Sequence, residues 1–85
     1  MLLAWNVVVS GIDLAQANRI AKEIRATNGG IDGVRALAFA LSSNGHVQIS
    51  MNLEDADSNS PMTVFRRIEQ RVAEQGGTIL ETEII

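Results

Sequence analysis

Apolar and polar residues alternate without a break over residues 46–53. Val47, Ile49, Met51 and Leu53 share one face; His46, Gln48, Ser50 and Asn52 share the other. Strand side chains repeat every two residues, so this is a half-buried strand. One face is for a core, and the other is for water, a ligand or another chain. Residues 3–9 keep the same period. Leu3, Trp5, Val7 and Val9 form the core side, and Ala4, Asn6, Val8 and Ser10 join the polar face. Residues 34–41 make a third strand whose period does not settle its orientation. One row is Val34, Ala36, Ala38 and Ala40; the other is Arg35, Leu37, Phe39 and Leu41. The bulky row is predicted to face inward, because a small domain needs its buried area. The alanine row would then be a shallow strip on the open face. Residues 78–85 alternate again as a last strand, with Glu81 and Glu83 on one side.

Between the strands the period changes to that of helices. Asp13 is a good N-cap, and Gln16 three residues later completes a capping-box pattern. Leu14, Ala17, Ile20, Ala21 and Ile24 then fall on one side, and Asn28-Gly29-Gly30 stops the helix. Ser60-Pro61 opens a second helix with Met62, Phe65, Ile68 and Val72 as its buried stripe, and Gly76-Gly77 ends it. Ser42-Ser43-Asn44-Gly45 signals a hairpin, since Asn-Gly tolerates a type I′ turn. The order is strand, helix, strand, strand, helix, strand. Two right-handed βαβ units place both helices on one face of a four-stranded antiparallel sheet. This is an α+β, ferredoxin-like βαββαβ fold in a single domain, residues 1–85. The fold hosts many functions and decides none.

Composition narrows the classes. A chain of 85 residues buries only roughly 60–65% of the surface its unfolded form exposes. The absence of cysteine excludes disulfides and thiolate metal sites. A net charge of −3, with no cluster of Lys or Arg, argues against a nucleic-acid partner. No apolar run approaches the ~20 residues of a membrane span. Met1 to Trp5 is too short for a signal peptide and has no basic flank. A soluble, cytoplasmic protein is expected.

Few residues offer chemistry. His46, the single histidine, has no Ser or Cys nucleophile at a readable spacing. It reads as an exposed strand residue, and no catalytic residue is assigned. A zinc site would need several carboxylates, so no metal site is predicted. Asp55-Ala56-Asp57-Ser58-Asn59 begins like an EF-hand loop. Ser60 then stands at the glycine position and Arg66 at the bidentate glutamate, so a solvated loop is expected. The paired glycines follow helices and read as helix stops, and Ser10-Gly11 is a weak anion-site signal. Glu81 and Glu83 read as solvation or edge protection before acid–base work. The most interesting set is Asn6, Gln48, Ser50 and Asn52. Their amides and hydroxyl donate and accept, and suit a neutral heterocycle or an amide. An ordinary wet sheet face accounts for them equally well.

Several segments, in one order, resemble the C-terminal subdomain of the glutamate formiminotransferase family. Residues 47–53 resemble its Val-Gln-Val-Ser-x-Asn-Leu strand, and Ala4-Trp5-Asn6 its Ala-aromatic-Asn opening. Residues 20–25 resemble its first helix, and Thr82-Glu83-Ile84-Ile85 its closing pair. Residues 34–41 and the helix opened by Pro61 fit the same frame, so the resemblance covers nearly the whole chain. It implies two paired ferredoxin-like subdomains with tetrahydrofolate between their sheets. It also implies formimino transfer from formiminoglutamate to tetrahydrofolate, a step of histidine degradation. Carried over residue by residue, it makes Asn6, Gln48, Ser50 and Asn52 the substrate-binding set. The family's catalytic histidine belongs to the N-terminal subdomain, and His46 stands where the family has an apolar residue. The expectation is half of a folate-binding cleft, inactive alone. It would be completed by a partner protein carrying the N-terminal subdomain or by a second copy in a homo-oligomer. Val8 replaces a second Asn, and Glu81 replaces a small residue, placing a charge on the folate-facing sheet. The alternative is a non-catalytic, dimeric ligand-binding or interaction module.

Overall fold

A computed structural model describes residues 2–25, 33–41, 45–54 and 61–84. Six elements follow in the expected order: β1 (Leu2–Ser10), α1 (Leu14–Ile24), β2 (Val34–Ala40), β3 (Val47–Glu54), α2 (Pro61–Glu74) and β4 (Thr78–Ile84). The strands form one sheet in the order β2-β3-β1-β4, antiparallel throughout. Each helix connects strands separated by one neighbour, the ferredoxin-like arrangement. The core lies between sheet and helices. Trp5, Val7 and Val9 from β1 and Ile49, Met51 and Leu53 from β3 meet Ile20 and Ile24 from α1 and Val64, Ile68 and Val72 from α2.

The local signals act where they were placed. The Asp13 carboxylate accepts from the Gln16 N–H at 2.8 Å, and the Gln16 side chain accepts from the Asp13 N–H at 2.9 Å. Both halves of the capping box are present. At the end of α2, the Gly77 N–H donates to the Val72 carbonyl at 2.8 Å and the Gly76 N–H to Ala73 at 3.1 Å. Gly76 has a φ of 84°. This is a Schellman stop, in which a left-handed residue lets the chain satisfy the last carbonyls. Gly11 is required for closeness as well as for its φ of +84°. A Cβ there would stand 2.9 Å from the Gly76 carbonyl oxygen, so this turn packs closely against the end of α2.

β2 is the main correction. Ala36 is 2% exposed and Val34 equally buried, whereas Leu37 and Phe39 are 57% and 46% exposed. The alanine row faces inward and the bulky row outward, the reverse of the expectation. The register makes this unavoidable. Val34, Ala36 and Ala38 pair with Leu53, Met51 and Ile49, and directly paired residues share a face. α1 packs closely on β2, which leaves room beneath it for small side chains.

Smaller corrections concern the helix ends. α1 stops at Ile24, with Arg25 already extended (φ −63°, ψ 139°); Asn28, Gly29 and Gly30 lie outside the described residues. Leu14 is exposed, and the preceding Ile12 fills the core in its place. In α2 the buried stripe is Val64, Ile68 and Val72, while Met62 is 51% exposed. Phe65 lies at the core margin, stacked on Trp5 at a centroid distance of 5.1 Å. The Leu41 N–H donates to the His46 carbonyl at 2.9 Å, closing the β2–β3 hairpin; Ser42 to Asn44 lie outside the described residues, as do Asp55 to Ser60. Glu23 of α1 and Arg71 of α2 form an ion pair between the helices. The hydrogen bond to Glu23 is the main reason the Arg71 guanidinium titrates above its ordinary value. Among the described residues no helix is long and apolar enough to cross a membrane.

Candidate functional site

The open face of the sheet is ordered in cross-strand rows. Leu37, Ser50, Asn6 and Glu83 form one row, and Phe39, Gln48, Val8 and Glu81 the next. Arg35, Asn52 and Ala4 form a third. Antiparallel pairing aligns these side chains directly opposite one another. The polar set singled out from the sequence therefore does converge: Asn6 and Ser50 are direct partners, and Gln48 and Asn52 flank Ser50 on its own strand. The Gln48 side-chain amide donates to the Ser50 hydroxyl at 2.9 Å. This holds the Gln48 carbonyl end for other contacts.

The first two rows run from apolar at β2, through the centre, to acidic at β4. Glu81 and Glu83 are brought beside Asn6, Val8 and Gln48 around a depression of about 70 Å³. A bulge makes this possible. Val8 faces Glu81 but Val9 faces Ile79, so β4 contributes an extra residue where it turns from core to rim. These carboxylates accept hydrogen bonds, while the central amides both donate and accept. A larger surface cavity of about 490 Å³ lies at the β2 edge, where Arg25 and Arg35 stand beside Leu37, Ser50 and Asn52. Arg35 Nε is paired with Glu54 at 3.1 Å. Among the described residues, Arg25 Nε is buried without a hydrogen-bond partner.

Sequence reasoning missed Arg35, Leu37 and Phe39 as members of this face. All three were turned inward by the wrong orientation of β2. The available signal was the Val-x-Ala-x-Ala row itself, which fits a strand beneath a close helix. His46 sits half-buried at the hairpin end of β3, two residues from Gln48. Among the described residues, no three His, Cys, Asp or Glu side chains gather to hold a metal ion.

Comparison with known proteins agrees with this architecture. The formiminotransferase domain family matches residues 4–85. A glutamate formimidoyltransferase from Thermoplasma acidophilum is 33% identical over 84 residues, covering 99% of this chain and 28% of that protein. One from Streptococcus pyogenes is 29% identical over the same length and shares. The chain thus spans little more than a quarter of the length of these relatives. On a match that runs through every strand and helix of the fold, the chain belongs to the formiminotransferase domain family.

Proposed function

We propose that the open face is one wall of a folate-binding cleft, corresponding to the C-terminal subdomain of a formiminotransferase. Asn6, Gln48, Ser50 and Asn52 are its ligand-facing groups. The observation that carries this reading is the registered polar patch, with Gln48 bonded to Ser50 and Asn6 directly opposite it, in a chain of this family. The donor set fits a reduced pterin ring, which offers ring N–H, amine and carbonyl groups to amides and carboxylates. Tetrahydrofolate would supply the nitrogen that accepts the formimino group in the histidine-degrading reaction the resemblance implies. This chain's residues hold and orient the ring. The general base comes from the facing subdomain, borne by a partner or by the rest of a longer polypeptide, so turnover is not expected from this domain alone. A cytoplasmic setting fits that role.

The test is a calorimetric titration with tetrahydrofolate, with light scattering on the same sample. Saturable micromolar binding is expected, weakened at least tenfold by Gln48→Ala and Asn52→Ala together. No binding up to about 1 mM, where the free energy is only ~4 kcal/mol, would end the folate reading. The second reading, a non-catalytic dimeric module, is favoured by one observation: exposed Leu37 and Phe39 give the open face an apolar margin. A dimer mass without folate binding would select it. The shallow alanine strip expected on that face is absent from it, because Ala36 is buried in the core.

A further inference from the structure

β4 is an outer strand of the sheet, and among the described residues it pairs with β1 alone. A strand paired on one side presents the backbone N–H and C=O groups of its other side as a template for a further strand. The opposite edge, β2, is guarded: α1 packs on it, and it carries Arg35, held by Glu54. β4 has no lysine, arginine or proline to blunt it. Its bulge disturbs only the Thr78 end, and Glu81 to Ile84 run in unbroken register with β1.

The two faces of this stretch differ. Thr82 and Ile84 oppose Val7 and Trp5, which places them on the helix side, yet both are exposed. Ile84 lies beside Trp5, itself stacked on Phe65, and continues that apolar surface outward. Glu81 and Glu83 oppose Val8 and Asn6 on the open face. A strand laid against this edge therefore meets an apolar ledge with one set of alternate residues and carboxylates with the other. A second copy fits badly. Antiparallel pairing about a two-fold axis at Thr82 sets Glu81 opposite Glu83 twice, and like charges directly opposite repel.

We propose that the β4 edge accepts an extended segment of another polypeptide whose residues alternate between apolar and basic. Its main chain adds one strand to the sheet. Its apolar side chains cover Thr82 and Ile84, and its Lys or Arg side chains pair with Glu81 and Glu83. This edge and the folate wall share only the two carboxylates, so either reading can fail alone.

The probe is the capped peptide acetyl-Val-Lys-Val-Lys-Val-amide, titrated into the full chain and followed by calorimetry and amide NMR. Submillimolar binding is expected, with new exchange protection confined to Leu80 through Ile84. The peptide with glutamate in place of lysine should bind at least about tenfold more weakly, and E81K/E83K should invert that preference. Circular dichroism checks the fold of the variant; the wild-type comparison of peptides stands if the variant is unstable. Alternate N–H groups of a strand point to opposite edges. N-methylation of the lysines and N-methylation of the valines should therefore differ, one abolishing binding and the other sparing it. The proposal is overturned if both methylated peptides bind as the parent does, if lysine and glutamate peptides bind alike, or if nothing binds up to about 1 mM. A dimer, seen by light scattering, that protects the same amides without peptide would make a second copy the occupant and overturn it too.

Discussion

β2 and β4 flank the same two central strands, yet their inner faces are filled in opposite ways. β2 sends Val34 and Ala36 into the core, with Ala38 half-buried behind them, and α1 closes over them. β4 opposes Val9, Val7 and Trp5 with Ile79, Thr82 and Ile84. Of these only Ile79 packs on the core, and Ile84 is exposed. The strand with the smaller side chains is therefore the better buried. Burial at a sheet edge follows the position of the helix, and small residues mark where the helix comes closest. β4 is held instead by its ladder to β1 and by a side-chain bond from the Trp5 indole N–H to the Thr82 hydroxyl.

The sharpest way to break this comparison is at Trp5, which is buried, stacked on Phe65 and bonded to β4. Trp5→Ala should cost about 3–5 kcal/mol, read as a fall in the urea midpoint. It should also release β4, seen as lost amide protection from Thr78 to Ile84. Next comes a paired test of β2. Ala36→Leu should cost ~1–3 kcal/mol through overpacking beneath α1, while Leu37→Ser on the opposite face should stay within about 0.5 kcal/mol. The opposite ranking would mean that β2 is turned over. The smallest effect is at the β4 tether. Thr82→Val keeps the shape and removes the acceptor, so stability should fall by about 1 kcal/mol, with faster hydrogen exchange confined to β4. An unchanged exchange pattern would show that the ladder alone holds the strand.

These contrasts also explain which parts of the molecule could be read in advance. The capping box at Asp13 and Gln16, the glycine stop after α2 and the alternation of β3 are local. Each depends on residues a few positions apart, and each is present. The polar set of Asn6, Gln48, Ser50 and Asn52 was legible for the same reason, since period two assigns a face once the opposite face is plainly apolar. β2 offered two apolar rows, so area arguments chose the bulky one. Met62 and Leu14 satisfied the helical period as well as their buried neighbours did, but they lie in the first turns of their helices and are exposed.

The sequence by itself determined the six elements, their order, the covered faces of β1 and β3, and the family resemblance, because period, caps and turn residues act over short distances. Tertiary structure alone decided the orientation of β2, the thin cover of β4, and the gathering of Asn6, Gln48, Glu81 and Glu83 on the open face. Those outcomes depend on strand register and on how closely each helix approaches the sheet. Both bring together residues far apart in the chain, so neither is encoded in any single segment.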